Sequence, residues 1–174
     1  MEIIYRTVES SPENWAYIQE LASHTIDEQM LPLTEEKMLS NTLACVALWK
    51  GDVIGYAAQT AYYPASKTAE VGSLIVDPLH RGNGIGSELI RRTTALIVVS
   101  GAHGSQDIND IMAFCNPKSA SIFKKQGFTH VSLTEVPPES LFECAKCPKK
   151  CFFPLGECCD KAYIYVDDPE DKVE

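Results

Sequence analysis

The chain has 174 residues, 45% of them hydrophobic and 22% charged, with a formal net charge of −9; this is the balance of one globular domain with a sizeable core, not of a disordered or fibrous chain. The acidic excess argues against broad nucleic-acid binding and suits a cationic acceptor. No apolar run approaches a membrane span and the Met1–Arg6 start is no signal peptide, so a cytoplasmic location with no membrane partner is the expectation.

Taken in chain order, Ile3–Val8 reads as a first strand. Pro12–His24 carries Trp15, Ile18, Leu21 and Ala22 at helical spacing. Thr34 is the expected N-cap of a second helix opening Glu35-Glu36-Lys37. Leu43–Trp49 and Val53–Thr60 are strand-like, with Gly51-Asp52 as the turn between them, and Ala69–Val76 completes the meander. A glycine-rich stretch and a helix to about Val99 follow, then a loop over Gly101–Asp110 and a strand over Ile111–Cys115. Pro117 suits the first position of a helix that Gly127 closes, and strands follow at Phe128–Leu133 and Ala162–Val166. The order predicts an α+β fold, a mixed and mostly antiparallel central sheet of about six or seven strands flanked by helices. Residues 1–168 are expected to form a single domain with a cysteine-rich insertion at 144–159, and 169–174 an acidic, flexible tail.

The most informative stretch is Arg81-Gly82-Asn83-Gly84-Ile85-Gly86, lying between an apolar strand and the helical pattern from Ser87. Strand, glycine turn and helix in that order build an anion pocket. Glycines expose successive N–H groups, and the helix N-terminus adds partial positive charge. A P-loop would end Gly-Lys-Ser/Thr, and this one ends Gly86-Ser87-Glu88; a dinucleotide loop would space its third glycine one residue later. A glycine turn that merely caps a helix is the bland alternative.

The form that fits is Arg/Gln-x-x-Gly-x-Gly/Ala, and here the chain resembles the GNAT superfamily of acetyl-coenzyme A-dependent N-acetyltransferases. Residues 111–128 resemble the second signature of that family: a strand ending in Asn116, a helix, and an aromatic shortly before Gly127-Phe128. The resemblance covers residues 1 to about 135 and the last strand. It implies acetyl-coenzyme A as cosubstrate, with Arg81 and the amides of Gly82, Asn83, Gly84, Ile85, Gly86 and Ser87 on the diphosphate. It further points to the main-chain N–H groups of Leu74, Ile75 and Val76 at the thioester carbonyl. Asn116 is a candidate hydrogen-bond partner for the pantetheine arm, with Ala120 and Phe123 packing against it.

Attack on a thioester needs a neutral amine, whereas a lysine-type amine has a pKa of ~10.4. A carboxylate placed to take that proton is the natural base. The resemblance assigns this role to Glu70, near the start of the strand leading into the glycine loop; a salt-bridge or solvated carboxylate is the alternative. Many relatives carry a general-acid tyrosine where this chain has Phe123, which cannot donate a proton. Water, Tyr62 or Tyr63 then remain as donors, and plain core packing remains open for Phe123. The acceptor, a small-molecule amine or a protein lysine, is expected near the first two helices and Tyr62-Tyr63-Pro64. Glu20, Asp27 and Glu28 are candidates to attract it, or simply a solvated helix face.

Five of the seven cysteines fall in C-x2-C-x3-C-x6-C-C spacing. Cys144, Cys147, Cys151 and Cys158, with Cys159 as the alternative fourth ligand, suit a structural zinc. An iron–sulfur cluster, a redox-active set and free thiols stay open. Such a site reads as a clip or docking knob, with Lys146, Lys149 and Lys150 nearby; Cys45 and Cys115 read as strand-core residues, and His80 as a loop neighbour. Two function classes result: an N-acetyltransferase, monomeric or homodimeric, and a silent coenzyme A-binding module acting through the cysteine-rich loop.

Overall fold

The computed structural model describes residues 2–9, 11–25, 34–102, 106–141 and 161–166. Seven strands form one sheet in the order β1-β2-β3-β4-β5-β7-β6. The first four make an antiparallel meander: β1 (Ile4–Val8), β2 (Ala44–Trp49), β3 (Asp52–Tyr63) and β4 (Thr68–Val76). Helix α1 (Pro12–Thr25) and helix α2 (Glu35–Ser40) lie between β1 and β2 in the chain, and Thr34 caps α2 by accepting from the Lys37 N–H at 3.2 Å. Helix α3 (Ile85–Ala102) crosses over from β4 to the parallel strand β5 (Asp110–Cys115). Helix α4 (Pro117–Lys124), β6 (Phe128–Val131) and β7 (Lys161–Tyr165) complete the order.

Alternation along the strands assigns the two faces. In β2, Cys45 and Ala47 join the core under α3 and α4, built on Ile85, Leu89, Ile90, Ile97, Ala120 and Phe123. Their neighbours Ala44 and Val46 point to the other face, where Ile18 and Leu21 of α1 and Met38 of α2 cover them. On that second face a smaller apolar cluster of Tyr63, Met112, Val136 and Ala162 lies toward β5 and β7. Cys45 and Cys115 are buried strand residues, as expected. Among the described residues no helix is long and apolar enough to cross a membrane.

Several boundaries differ from the sequence reading: α3 runs on to Ala102 and β6 stops at Val131, and two differences lie in the β2–β3–β4 meander. The β2–β3 turn is Lys50-Gly51, one residue earlier than expected, because Trp49 pairs with Asp52. Both turn residues have positive φ, 52° and 97°, as a two-residue hairpin of this twist requires. Strand β3 also runs on through Tyr62 and Tyr63, which pair with Ala69 and Thr68 and are therefore strand, not loop.

Candidate active site

The sheet is split at its centre. Parallel pairing of β4 with β5 covers Thr68, Ala69 and Glu70 against Asp110, Ile111 and Met112, and goes no further. Beyond Glu70, β4 stays paired with β3, while β5 pairs with β7 from Met112 to Cys115. Two parallel strands parting toward their carboxyl ends leave main-chain groups facing a cleft. Loops and helix N-termini at that end of a sheet are where ligands are received.

At the mouth of the split stands the glycine loop. Gly82 and Gly84 have φ of 80° and 77°, and a Cβ at either would meet nothing within 4 Å. The backbone there is bare, which a phosphate seeking N–H groups requires. Helix α3 starts at Ile85 and directs its N-terminus at the same place. A 3-10 turn (Pro78–His80) links β4 to the loop, capped by Asp77 Oδ1, which accepts from the Leu79 N–H at 2.8 Å. Arg81 folds back and donates from Nε to the Val76 carbonyl at 3.0 Å, tying the loop to the end of β4 and spending one of its five donors. Asn83 Nδ2 donates to the His80 carbonyl at 3.0 Å. His80 itself leans on Trp49, ring centroids 5.0 Å apart, with Nδ1 3.5 Å from Asp77 Oδ2. Gly86 lets the first turn of α3 close on Leu74, Val76 and Ile122, so the loop, β4 and α4 share one packed corner.

On the other side of the split, Asn116 ends β5 and caps α4. Its side-chain oxygen accepts from the Ser119 N–H at 2.9 Å, which leaves the amide NH2 as the polar group to offer. Ala120 and Phe123 are 8% and 2% exposed. The Phe123 ring meets Phe128 edge-on at 5.2 Å, a core contact, with no hydroxyl to offer the cleft.

Glu70 occupies the last rung that β4 and β5 share. Its pairing with Ala61 and Met112 sets it on the α1/α2 face, opposite α3 and α4. Both carboxylate oxygens are held: Tyr63 donates its hydroxyl to Oε2 at 2.7 Å, and Thr60 Oγ1 donates to Oε1 at 3.1 Å. The Tyr62 hydroxyl donates instead to the Asp107 carbonyl at 2.8 Å.

Two residues of this region carry no chemical motif and escaped the sequence reading. Ser73 has φ of 50° inside β4, at a register shift in which Tyr56 and Ala58 oppose Ile75 and Gly72. This one-residue bulge changes the phase of the strand. Ala69 and Val71 face α3 and α4 before it, Leu74 and Val76 after it, and Ile75 turns to the α1 face. Thr60 is the extra residue in a second shift, where Gln59 and Ala61 oppose Val71 and Glu70. The available signal was Gly72, since a glycine inside a strand marks a bulge or a close approach.

Behind the loop, Glu88 of α3 is clasped by Arg91 and Arg92, each at 2.6 Å from Oε1. The Arg91 hydrogen bond, opposed by burial and reinforced by Arg92, lowers the Glu88 carboxyl to about 2. Glu88 therefore stays ionised, its charge compensated by the two guanidinium groups. Cys144, Cys147, Cys151, Cys158 and Cys159 lie outside the described residues, as do Asp27 and Glu28. Among the described residues no three metal-ligating side chains gather.

Residues 9–128 match the acetyltransferase (GNAT) family model. The chain is 31% identical over 105 residues to an uncharacterized N-acetyltransferase of Chlorobaculum tepidum, covering 60% of this chain and 61% of that one, so somewhat under two thirds of the relative is spanned. N-acetylglutamate synthase from Neisseria gonorrhoeae, solved with coenzyme A and N-acetyl-glutamate, superposes at a TM-score of 0.64 and 15% identity over 95% of this chain and 35% of the synthase. A Mycobacterium tuberculosis protein solved with coenzyme A gives 0.63 at 16% identity over 92% of this chain and 96% of that one. An N-acetyltransferase from Staphylococcus aureus Mu50 gives 0.55 at 24% identity over 76% and 86%. At such identities the structural likeness is one of fold. The family match itself spans well over half the chain and includes the split strand, the glycine loop and the Asn116-capped helix: this chain belongs to the acetyltransferase (GNAT) family.

Proposed function

We propose that the protein moves the acetyl group of acetyl-coenzyme A to a primary amine by direct attack in a ternary complex, with Glu70 as general base. The observation that carries this reading is the place of Glu70, on the last rung before the split whose β4 edge runs on to the glycine loop. The amides of Gly82 through Ser87, with Arg81, hold the diphosphate. The pantetheine arm enters the cleft beside Leu74, Ile75 and Val76, with Asn116, Ala120 and Phe123 as its other wall. Main-chain N–H groups of β4 polarise the thioester carbonyl and stabilise the tetrahedral oxyanion.

The new C–N bond forms as the amine attacks; Glu70 takes the amine proton, the C–S bond breaks, and the thiolate draws a proton from water. A coenzyme A thiol is a fair leaving group, so Phe123 in place of a hydroxyl donor is tolerable. The acceptor is a cationic amine, small molecule or protein lysine, suited to the acidic chain.

Thiol release from acetyl-coenzyme A with spermidine, L-lysine, kanamycin and a lysine-bearing peptide tests the activity. Glu70→Gln is expected to slow turnover about 10²-fold at neutral pH while coenzyme binding holds. Unchanged turnover would end the base assignment. Silence of the native chain across the panel, with coenzyme binding intact, would favour a binding module.

A structural zinc on Cys144, Cys147, Cys151 and Cys158, or Cys159, rests on donor chemistry alone: an all-thiolate set is what a closed tetrahedral site takes. Protein purified without added metal is expected to carry about one zinc per chain. Metal-free protein whose clustered thiols all titrate would exclude it.

A further inference from the structure

The geometry points to Thr60 and Tyr63 as positioning residues that clamp the Glu70 carboxylate in register with the split sheet. The inference rests on the proposed base role of Glu70. The clamp is built into the backbone of β3. Tyr63 is a diagonal neighbour of Glu70, two residues beyond Ala61 on the same face. Its ring is 8% exposed and packed with Met112, Val136 and Ala162, so the direction of its hydroxyl is fixed by the core.

Thr60 keeps the face of Ala58, and a regular strand would then turn Ala61 and Tyr63 away from it. The β3 shift puts all three on the face of Glu70, with Thr60 Oγ1 3.1 Å from Oε1 and 3.4 Å from the Glu70 carbonyl. Gly72 leaves room for Thr60, because a Cβ there would sit 3.3 Å from both Thr60 Cγ2 and Thr60 Oγ1. One irregularity, one missing side chain and one buried aromatic thus converge on a single carboxylate.

With both oxygens engaged, the carboxylate keeps one orientation, and its remaining lone pairs are what an incoming amine, or a water between them, meets. Tyr63 is thereby committed to the base and is not the donor for the departing thiolate.

The test uses the full chain with Thr60→Val and Tyr63→Phe, each removing a hydroxyl at nearly constant shape. Glutamate side chains are labelled with 13C, and the Glu70 resonance is identified by its loss in Glu70→Gln. Each variant removes one hydroxyl from the carboxylate, so the Glu70 carboxyl resonance is expected to move at fixed neutral pH. With whichever of spermidine, L-lysine, kanamycin or the lysine peptide turns over, kcat falls about tenfold through lost orientation and KM for acetyl-coenzyme A holds. A merely structural role would lower thermal stability without moving the resonance. Resonance and kcat unchanged in both variants overturn the clamp. Full turnover in Glu70→Gln overturns the base itself, so the two failures are told apart.

Discussion

Ser73 holds a left-handed backbone, φ 50°, in the middle of β4, a conformation that costs an L-residue roughly 1–2 kcal/mol. It persists because the bulge satisfies two packing demands at once: Val71 and Leu74, three residues apart, both face α3 and α4, while Ile75 reaches the α1 cluster. A β-branched side chain suits this conformation poorly. Ser73→Val is expected to lower stability by about 2 kcal/mol, and Ser73→Gly to leave it level or raise it slightly. Urea midpoints of the three proteins check this; equal midpoints would mean that the bulge can migrate along the strand. Glu70 shows the same principle from the chemical side. Its candidacy was readable from its place before the glycine loop, but its two hydroxyl partners were not, because Tyr63 shares the face of Thr60 only through a register shift.

Helix α3 organises the site as an element, presenting its N-terminus to the glycine loop and its buried stripe of Ile85, Leu89, Ile90 and Ile97 to the sheet. The Glu88–Arg91–Arg92 clasp lies on its flank at i+3 and i+4 spacing. Glu88 drops from 4.5 to about 2 on folding, so its contribution is whole above about pH 4.5 and is lost as pH falls toward 2. Both arginines are substantially exposed, and solvent screening limits the worth of the clasp. Glu88→Gln is expected to cost about 1 kcal/mol at pH 7, the gap to the native protein narrowing below pH 4.5 and closing near pH 2. Denaturation curves across that range measure it; a gap independent of pH would assign the loss to packing. The elements themselves were largely legible, since hydrophobic period, the Thr34 and Asn116 caps and the glycines mark them. Their ends were less so: the β2–β3 turn moved to Lys50-Gly51 because the pairing of Trp49 with Asp52, a long-range choice, decides which two residues turn.

For the molecule as a whole, the decisive feature is the parting of β4 from β5 after Glu70 and Met112. That split joins the glycine loop, the Asn116 cap and the candidate base, which the chain spreads over more than forty positions. By itself the sequence determined the family and the α+β class, and it singled out the glycine loop and Glu70 on the strand leading into it as candidates, because each is written in local period, caps and glycine spacing. Only the tertiary structure decided the bulges at Ser73 and Thr60, the split and the clamp on Glu70. Strand register is a compromise among side chains distant in the chain, and no local window contains it.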